Sequence, residues 1–251
     1  MNDYDLGILL FPFIAGLLVL ATHIPLGMKV LARGVIFSDL AVAQIAGLGV
    51  IGAGLAGLSE QPLLVQLTAA ASALCGAAVL NWIEQHLPEV KEAGIGLTFV
   101  LAASAGILLM SRDVHAGEHL KDLLVGQILW VGPGQVAGTA LLSAVLLALW
   151  HHQQARLGHL GFYALFALAV TASVQLVGIY LVFASLIVPA LATWRIGQRR
   201  MVYAYGIGIA GYAAGLLLSA WFDLPAGAAI VWAMAMAGGI TALLTNPRKG
   251  A

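Results

Sequence analysis

Apolar runs long enough to cross a bilayer alternate with short clusters of charged and turn-forming residues along the whole chain. The runs are Leu6–Thr22, Val35–Leu58, Leu63–Ile83, Gly94–Met110, Val136–Trp150, Phe162–Trp194, Tyr203–Phe222 and Ala226–Leu244. A helix needs about 20 apolar residues to span the hydrocarbon core, so most of these predict one spanning helix each. The separators carry Lys29 and Arg33; Glu60 and Pro62; Glu84 to Glu92; Ser111–Asp122; His151–His159; Arg195, Arg199 and Arg200; and Asp223-Leu224-Pro225. Leu123–Val131 is too short to span and runs into Gly132-Pro133-Gly134, a strong helix breaker.

Phe162–Trp194 is the exception, because it is too long for one crossing. Inside it, Val170 to Arg195 holds a single Gly, Gly178, and a single Pro, Pro189, and its only charge is Arg195. Gly tolerates the dihedrals of a tight turn, so a reversal near Gly178, leading into Pro189, predicts two helices where the pattern shows one run. A turn without polar residues must satisfy its backbone against protein rather than lipid. The expected fold class is all-α: one polytopic transmembrane bundle over residues 1–251, with eight to nine spanning helices and a short helix at Leu123–Val131.

Composition agrees. The chain is 61% hydrophobic and 9% charged, where soluble domains carry about 25% charge. Net charge is zero, which offers no basic face to nucleic acid. The one cysteine, Cys75, excludes an internal disulfide and reads as a small buried hydrophobe. The start, MNDYD, is acidic, so Leu6–Ala21 reads as a first spanning helix and not a cleaved signal. Lys and Arg mark cytoplasmic loops. With nine crossings, Lys29/Arg33, Arg195–Arg200 and Arg248/Lys249 all fall inside, which makes the C-terminus cytoplasmic and puts Ser111–Asp122 outside.

On these residues the chain resembles the permease subunits of bacterial zinc/manganese-type ABC importers. VGIYLVFASLIVPALATWRI (Val177–Ile196) is similar to the family's late signature through Val177, Gly178, Leu181, Leu186, Ile187, Pro189 and Ala190. LGMKVLARGVIFSDLA (Leu26–Ala41), EAGIGLTFVLAASAGILL (Glu92–Leu109) and FDLPAGAAIVW (Phe222–Trp232) resemble other family segments, in the family's order. The resemblance implies a multi-pass protein of the bacterial inner membrane that is not itself an enzyme. It implies a second permease copy as a homodimer partner, a separate ATP-binding subunit, and a periplasmic metal-binding protein. It implies no permanently bound cofactor, only a transported divalent metal, zinc by the His and carboxylate inventory, with manganese or iron as alternatives. The absence of a GxxxxGK[ST] phosphate loop fits ATP hydrolysis by another subunit.

Asp39 is the first candidate metal ligand, because a carboxylate in a spanning helix is costly and faces a cavity or a partner. The family places a His four residues after the equivalent Asp, on the same helix face. Here Ala43 stands there, followed by Gln44, a weaker oxygen donor about 100° further round. The outer loop is the second candidate: Asp113, His115, Glu118, His119 and Asp122 form a donor set suited to a borderline divalent metal. In the family a short helix after this loop lines the outer mouth of the pathway, and Leu123–Val131 matches it. The third candidate is the loop that docks on the ATPase in the family, echoed by Gln153, Ala155, Arg156 and Gly158. His23 and His86 read as interfacial. Two other classes compete with this reading: a stand-alone carrier driven by an ion gradient, and a membrane metalloprotease built on the H-x-x-E-H pattern of His115–His119. Gly117 and the loop setting disfavour the protease. If the two histidines receive the metal, replacing His115 and His119 with Ala lowers zinc uptake. Unchanged uptake would remove them from the pathway.

Overall fold

A computed structural model describes residues 6–111, 124, 126–153 and 158–245. Nine α-helices are described: α1 (Leu10–Arg33), α2 (Ser38–Leu55), α3 (Pro62–His86), α4 (Lys91–Met110), α5 (Pro133–Gln153), α6 (Gly158–Val177), α7 (Ile179–Ala192), α8 (Arg200–Phe222) and α9 (Ala226–Thr245). No strand occurs among the described residues. Eight of the helices are long and apolar enough to cross a membrane; the exception is α7, with 14 residues. At about 1.5 Å per residue it is roughly 21 Å long, short of the roughly 30 Å hydrocarbon core.

Several boundaries differ from the pattern-based reading, each for a local reason. The Lys29/Arg33 segment is not a loop, because α1 runs on through Pro25 to Arg33. Pro62 and Pro133 open α3 and α5, where a missing N–H costs nothing. Pro133 therefore starts a helix that the Gly-Pro-Gly pattern was expected only to break. Within Leu123–Val131, Leu124 is helical and Ile128–Trp130 form a 3-10 turn, while Leu123 and Val125 lie outside the described residues. Pro189 marks no reversal; it lies inside α7, where Thr193 closes the last turn by donating to the Pro189 carbonyl from its Oγ1 (2.6 Å) and its N–H (3.2 Å). Cys75 is exposed on α3, not buried.

The break between α6 and α7 does fall at Gly178, with φ 80° and ψ 165°, a conformation open essentially to Gly alone. Gly126, at φ 71°, packs its backbone onto it: a Cβ there would run into the Val177 carbonyl and the Gly178 nitrogen. The break is thus covered by protein backbone, as a turn lacking polar residues demands.

The chain divides into two compact units. The first comprises Met1–Ala32, Leu124–Ala144 and Leu176–Ala251. In it, α8 packs on α9 through the small face of Gly211 and Gly215: a Cβ on Gly211 would lie 2.6 Å from the Met234 Cβ, and one on Gly215 2.6 Å from the Ile230 nitrogen. Tyr212 of α8 covers Gly16 of α1, and its hydroxyl shares a hydrogen bond with Ser185 of α7 (3.0 Å). Arg200 donates to the Ala190 carbonyl (3.1 Å), capping the end of α7. The second unit comprises Arg33–Leu123 and Val145–Gln175. There α2 packs against α3, with Gly49 on Thr68 and Ala69 and Gly76 under Ile45, and against α4, with Gly106 under Ile51 and Leu48. Gln66 of α3 and Gln175 of α6 pair through their side-chain amides.

Large apolar residues stay exposed on single helix faces, such as Leu97, Leu101 and Leu108 on α4 and Trp232, Met236, Ile240 and Leu243 on α9. Patches of this extent are untenable in water and suit lipid. The close packing predicts a sharp contrast between two glycines. Gly215→Val forces α8 and α9 apart and should cost about 1–3 kcal/mol, read as a lower thermal midpoint in detergent. Gly239→Val, where an added Cβ meets nothing within 4 Å, should leave the midpoint unchanged.

Candidate functional site

Asp39 lies in the first turn of α2, and its side chain is sealed from solvent, at 1% exposure. Neither carboxylate oxygen has a hydrogen-bond partner among the described residues; the amides of Leu40 and of Asp39 itself act on the group from the helix start. The neighbouring Ser38 hydroxyl is likewise buried and unpaired. Buried polar groups are nearly always satisfied, so three orphan oxygens at one helix start call for a missing partner. The positive end of the α2 dipole helps hold an anion there, but it does not replace hydrogen bonds.

The geometry beyond Asp39 follows the sequence. Ala43 is buried, and Gln44 is only half-buried on an adjacent face. No three His, Cys, Asp or Glu side chains come together as a metal-holding group among the described residues. Asp113, His115, Glu118, His119 and Asp122 lie outside the described residues, as does the full H-x-x-E-H pattern.

His23 corrects the sequence reading. It is not interfacial but fully buried within α1, at 0% exposure. Its Nδ1 lies 3.0 Å from the Val19 carbonyl and 2.9 Å from the Thr22 hydroxyl. A carbonyl only accepts, so Nδ1 carries a proton, and in the neutral ring the lone pair then sits on Nε2. That nitrogen is buried with no partner among the described residues. The signal lay in α1 running on to Arg33, which places His23 near mid-helix instead of at an end. His86, by contrast, is exposed at the end of α3 and stacks on Trp82, ring centroids 5.0 Å apart.

The turn that leads into α2 is held firmly. Lys91 donates to the Arg33 carbonyl (2.5 Å), and the Ile36 N–H donates to the Glu92 carboxylate (2.6 Å). Both partners sit in the first turn of α4, so Glu92 fixes the chain just ahead of Asp39.

Of the expected docking residues, Gln153 ends α5 and Gly158 opens α6 at φ 51°, while Ala155 and Arg156 lie outside the described residues. Of the two expected reversal residues, Gly178 sits at a helix break and Pro189 does not.

Known proteins give this arrangement a context. A profile described as the ABC 3 transport family matches residues 6–157 and 154–244. A "probable iron transport system membrane protein" of Haemophilus influenzae is 25% identical over 174 residues, which is 61% of this chain and 64% of that protein. The chain thus spans slightly less than two thirds of that relative. The "manganese transport system membrane protein MntC" of Halalkalibacterium halodurans is 24% identical over 228 residues, 82% of this chain and 76% of that one. Among solved structures, "PsaBC from Streptococcus pneumoniae in complex with Fab" superposes with a TM-score of 0.72 at 21% identity, covering 96% of this chain and 91% of that chain, a likeness of fold. With the matched profile running across nearly all of its length, the chain belongs to the ABC 3 transport family.

Proposed function

We propose that this chain is the membrane-spanning permease subunit of an ABC transporter that imports a divalent first-row metal ion. The observation that carries the reading is Asp39, a carboxylate buried in a spanning helix with both oxygens unpartnered. Such a group is expensive in a bilayer unless a cation visits it. A carboxylate with no donor cluster around it among the described residues suits passage better than storage, because a conducted ion must bind well enough to enter and weakly enough to leave. The buried, unpartnered Nε2 of His23 is a second such group and supports the same chemistry. Imidazole and carboxylate donors both suit borderline divalent cations.

Zinc is the cargo that the His and carboxylate inventory favours, including the loop set His115, Glu118 and His119. Relatives named for iron and manganese transport keep those two ions as competitors. ATP would be hydrolysed by a separate subunit docking on the segment from Gln153 to Gly158. A periplasmic binding protein would deliver the ion, and a second copy of this chain would complete the pathway. A reversal of the chain at Gly178 would bring Arg195–Arg200 and the C-terminus to the cytoplasmic face, in line with their positive charge.

Reconstitution with its ATPase in proteoliposomes tests the proposal, with zinc, manganese and iron in competition. ATP-dependent uptake supports it, and uptake driven by an ion gradient without the ATPase would replace it with a stand-alone carrier. In the same assay Asp39→Asn should reduce uptake by at least about tenfold at subsaturating metal. His23→Ala should also reduce it, whereas Cys75→Ala, on an exposed face of α3, should leave it intact.

A further inference from the structure

In the second unit, several helix ends converge on one carboxylate. Glu84, in the last turn of α3, keeps 10% of its side-chain surface exposed. Its Oε2 accepts from Arg33, the last residue of α1, at 3.4 Å, and lies 3.3 Å from Nδ1 of His159 at the start of α6. Arg33 also lies over the Phe162 ring of α6, 4.1 Å from its centroid, and the Tyr163 hydroxyl sits beside the same carboxylate without a closed hydrogen bond. Arg33 is gripped a second time through its backbone, by Lys91. Three residues further on, Ile36 is gripped by Glu92, and three beyond that is Asp39.

These contacts form a continuous path. It starts at His159, directly after Gly158 and the segment read as the ATPase-docking loop. It passes through Glu84 and Arg33 and ends at the turn that sets the start of α2. Glu84 and Arg33 are largely withdrawn from solvent, with 10% and 17% of their side-chain surfaces exposed, so their charges meet each other more than water. A charged hub of this kind switches between discrete arrangements more readily than it deforms, which is the property a coupling element needs.

We infer that Glu84 is a positioning residue that couples the docking segment before His159 to the start of α2, so that movement of the ATPase subunit is transmitted to Asp39. The inference rests on the permease reading for its role in transport, but its mechanical core concerns this chain alone. Glu84 touches no cargo; it acts through Arg33 and His159.

The experiment compares Glu84→Gln, His159→Gln and the double variant. His159 is the safe partner, since its side chain is 56% exposed and its loss should not prevent folding. In proteoliposomes with the ATPase, metal taken up per ATP hydrolysed should fall by roughly threefold to thirtyfold in Glu84→Gln, while hydrolysis itself stays near the wild-type rate. His159→Gln should shift the ratio the same way, and the double variant should be no worse than Glu84→Gln, because both substitutions break one path. In the purified chain, hydrogen exchange of the Gly34–Asp39 amides should speed up by about tenfold in either single variant. Unchanged exchange in the folded His159→Gln chain overturns the inference whatever the chain transports. So does a wild-type uptake-to-hydrolysis ratio in that variant. Absent ATP-dependent uptake by the wild-type protein would instead overturn the permease reading, and the exchange result would still decide whether Glu84 links the two segments.

Discussion

In a bilayer no water is available to satisfy a peptide group, and this one constraint governs most of what the chain does. It selects helices throughout the described residues and confines every irregular stretch to an end or a covered break. The break at Gly178 shows the constraint at its strictest. Its immediate neighbours, Val177 and Ile179, carry no polar side chain, and the peptide groups there are shielded by another backbone, that of Gly126. Positive φ at both glycines is what lets two backbones meet so closely. The C-terminal end of α8 solves the same problem with side chains: Asp223 adopts a left-handed conformation, and Ser219 donates to the Leu224 carbonyl at 2.7 Å.

Because lipid is as apolar as leucine, burial alone cannot hold these helices together, and close contact must. Small residues supply it. Gly211 and Gly215 bring α8 onto α9, Gly16 and Gly208 bring α1 onto α8, and Gly49 brings α2 onto α3. Tyr212 adds a polar tie, reaching Ser185 on α7. The helices so packed leave broad leucine-rich faces for lipid, and the same sequence that could not fold as a soluble domain is well matched to a membrane.

Against this apolar background the few polar groups stand out by how they are treated. Glu84, Arg33, Lys91 and Glu92 are partnered at one end of their unit, and the partners tie helix ends together. Asp39 and His23 are buried and left open. Each contact joins one helix end to another or to the turn before α2, so the first group stiffens the protein. The second group carries a penalty within the fold that a cation would relieve. Stiff helix ends around an unsatisfied carboxylate are the arrangement expected where movement of one part must change the environment of an ion in another.

The sequence by itself determined the class of protein, because hydropathy records the length of each crossing directly. It placed nearly every spanning helix and the break at Gly178, and it singled out Asp39 as a carboxylate where none is cheap. It misplaced His23, since the pattern ended α1 too early: Lys29 and Arg33 were read as a loop, and a helix can carry such charges at its end while its middle stays buried. It could not tell that Pro189 sits inside a helix, because a proline there forfeits only the one bond to the carbonyl four residues earlier while the turns on either side still close. Nor could it see that Glu92 and Lys91 clasp the turn before Asp39, or that Glu84 gathers Arg33 and His159, residues 51 and 75 positions away in the chain. Periodicity reports which face of a helix is apolar. Which helix ends meet, and whether a buried polar atom finds a partner there, depends on contacts between distant segments, and only the tertiary structure decided those.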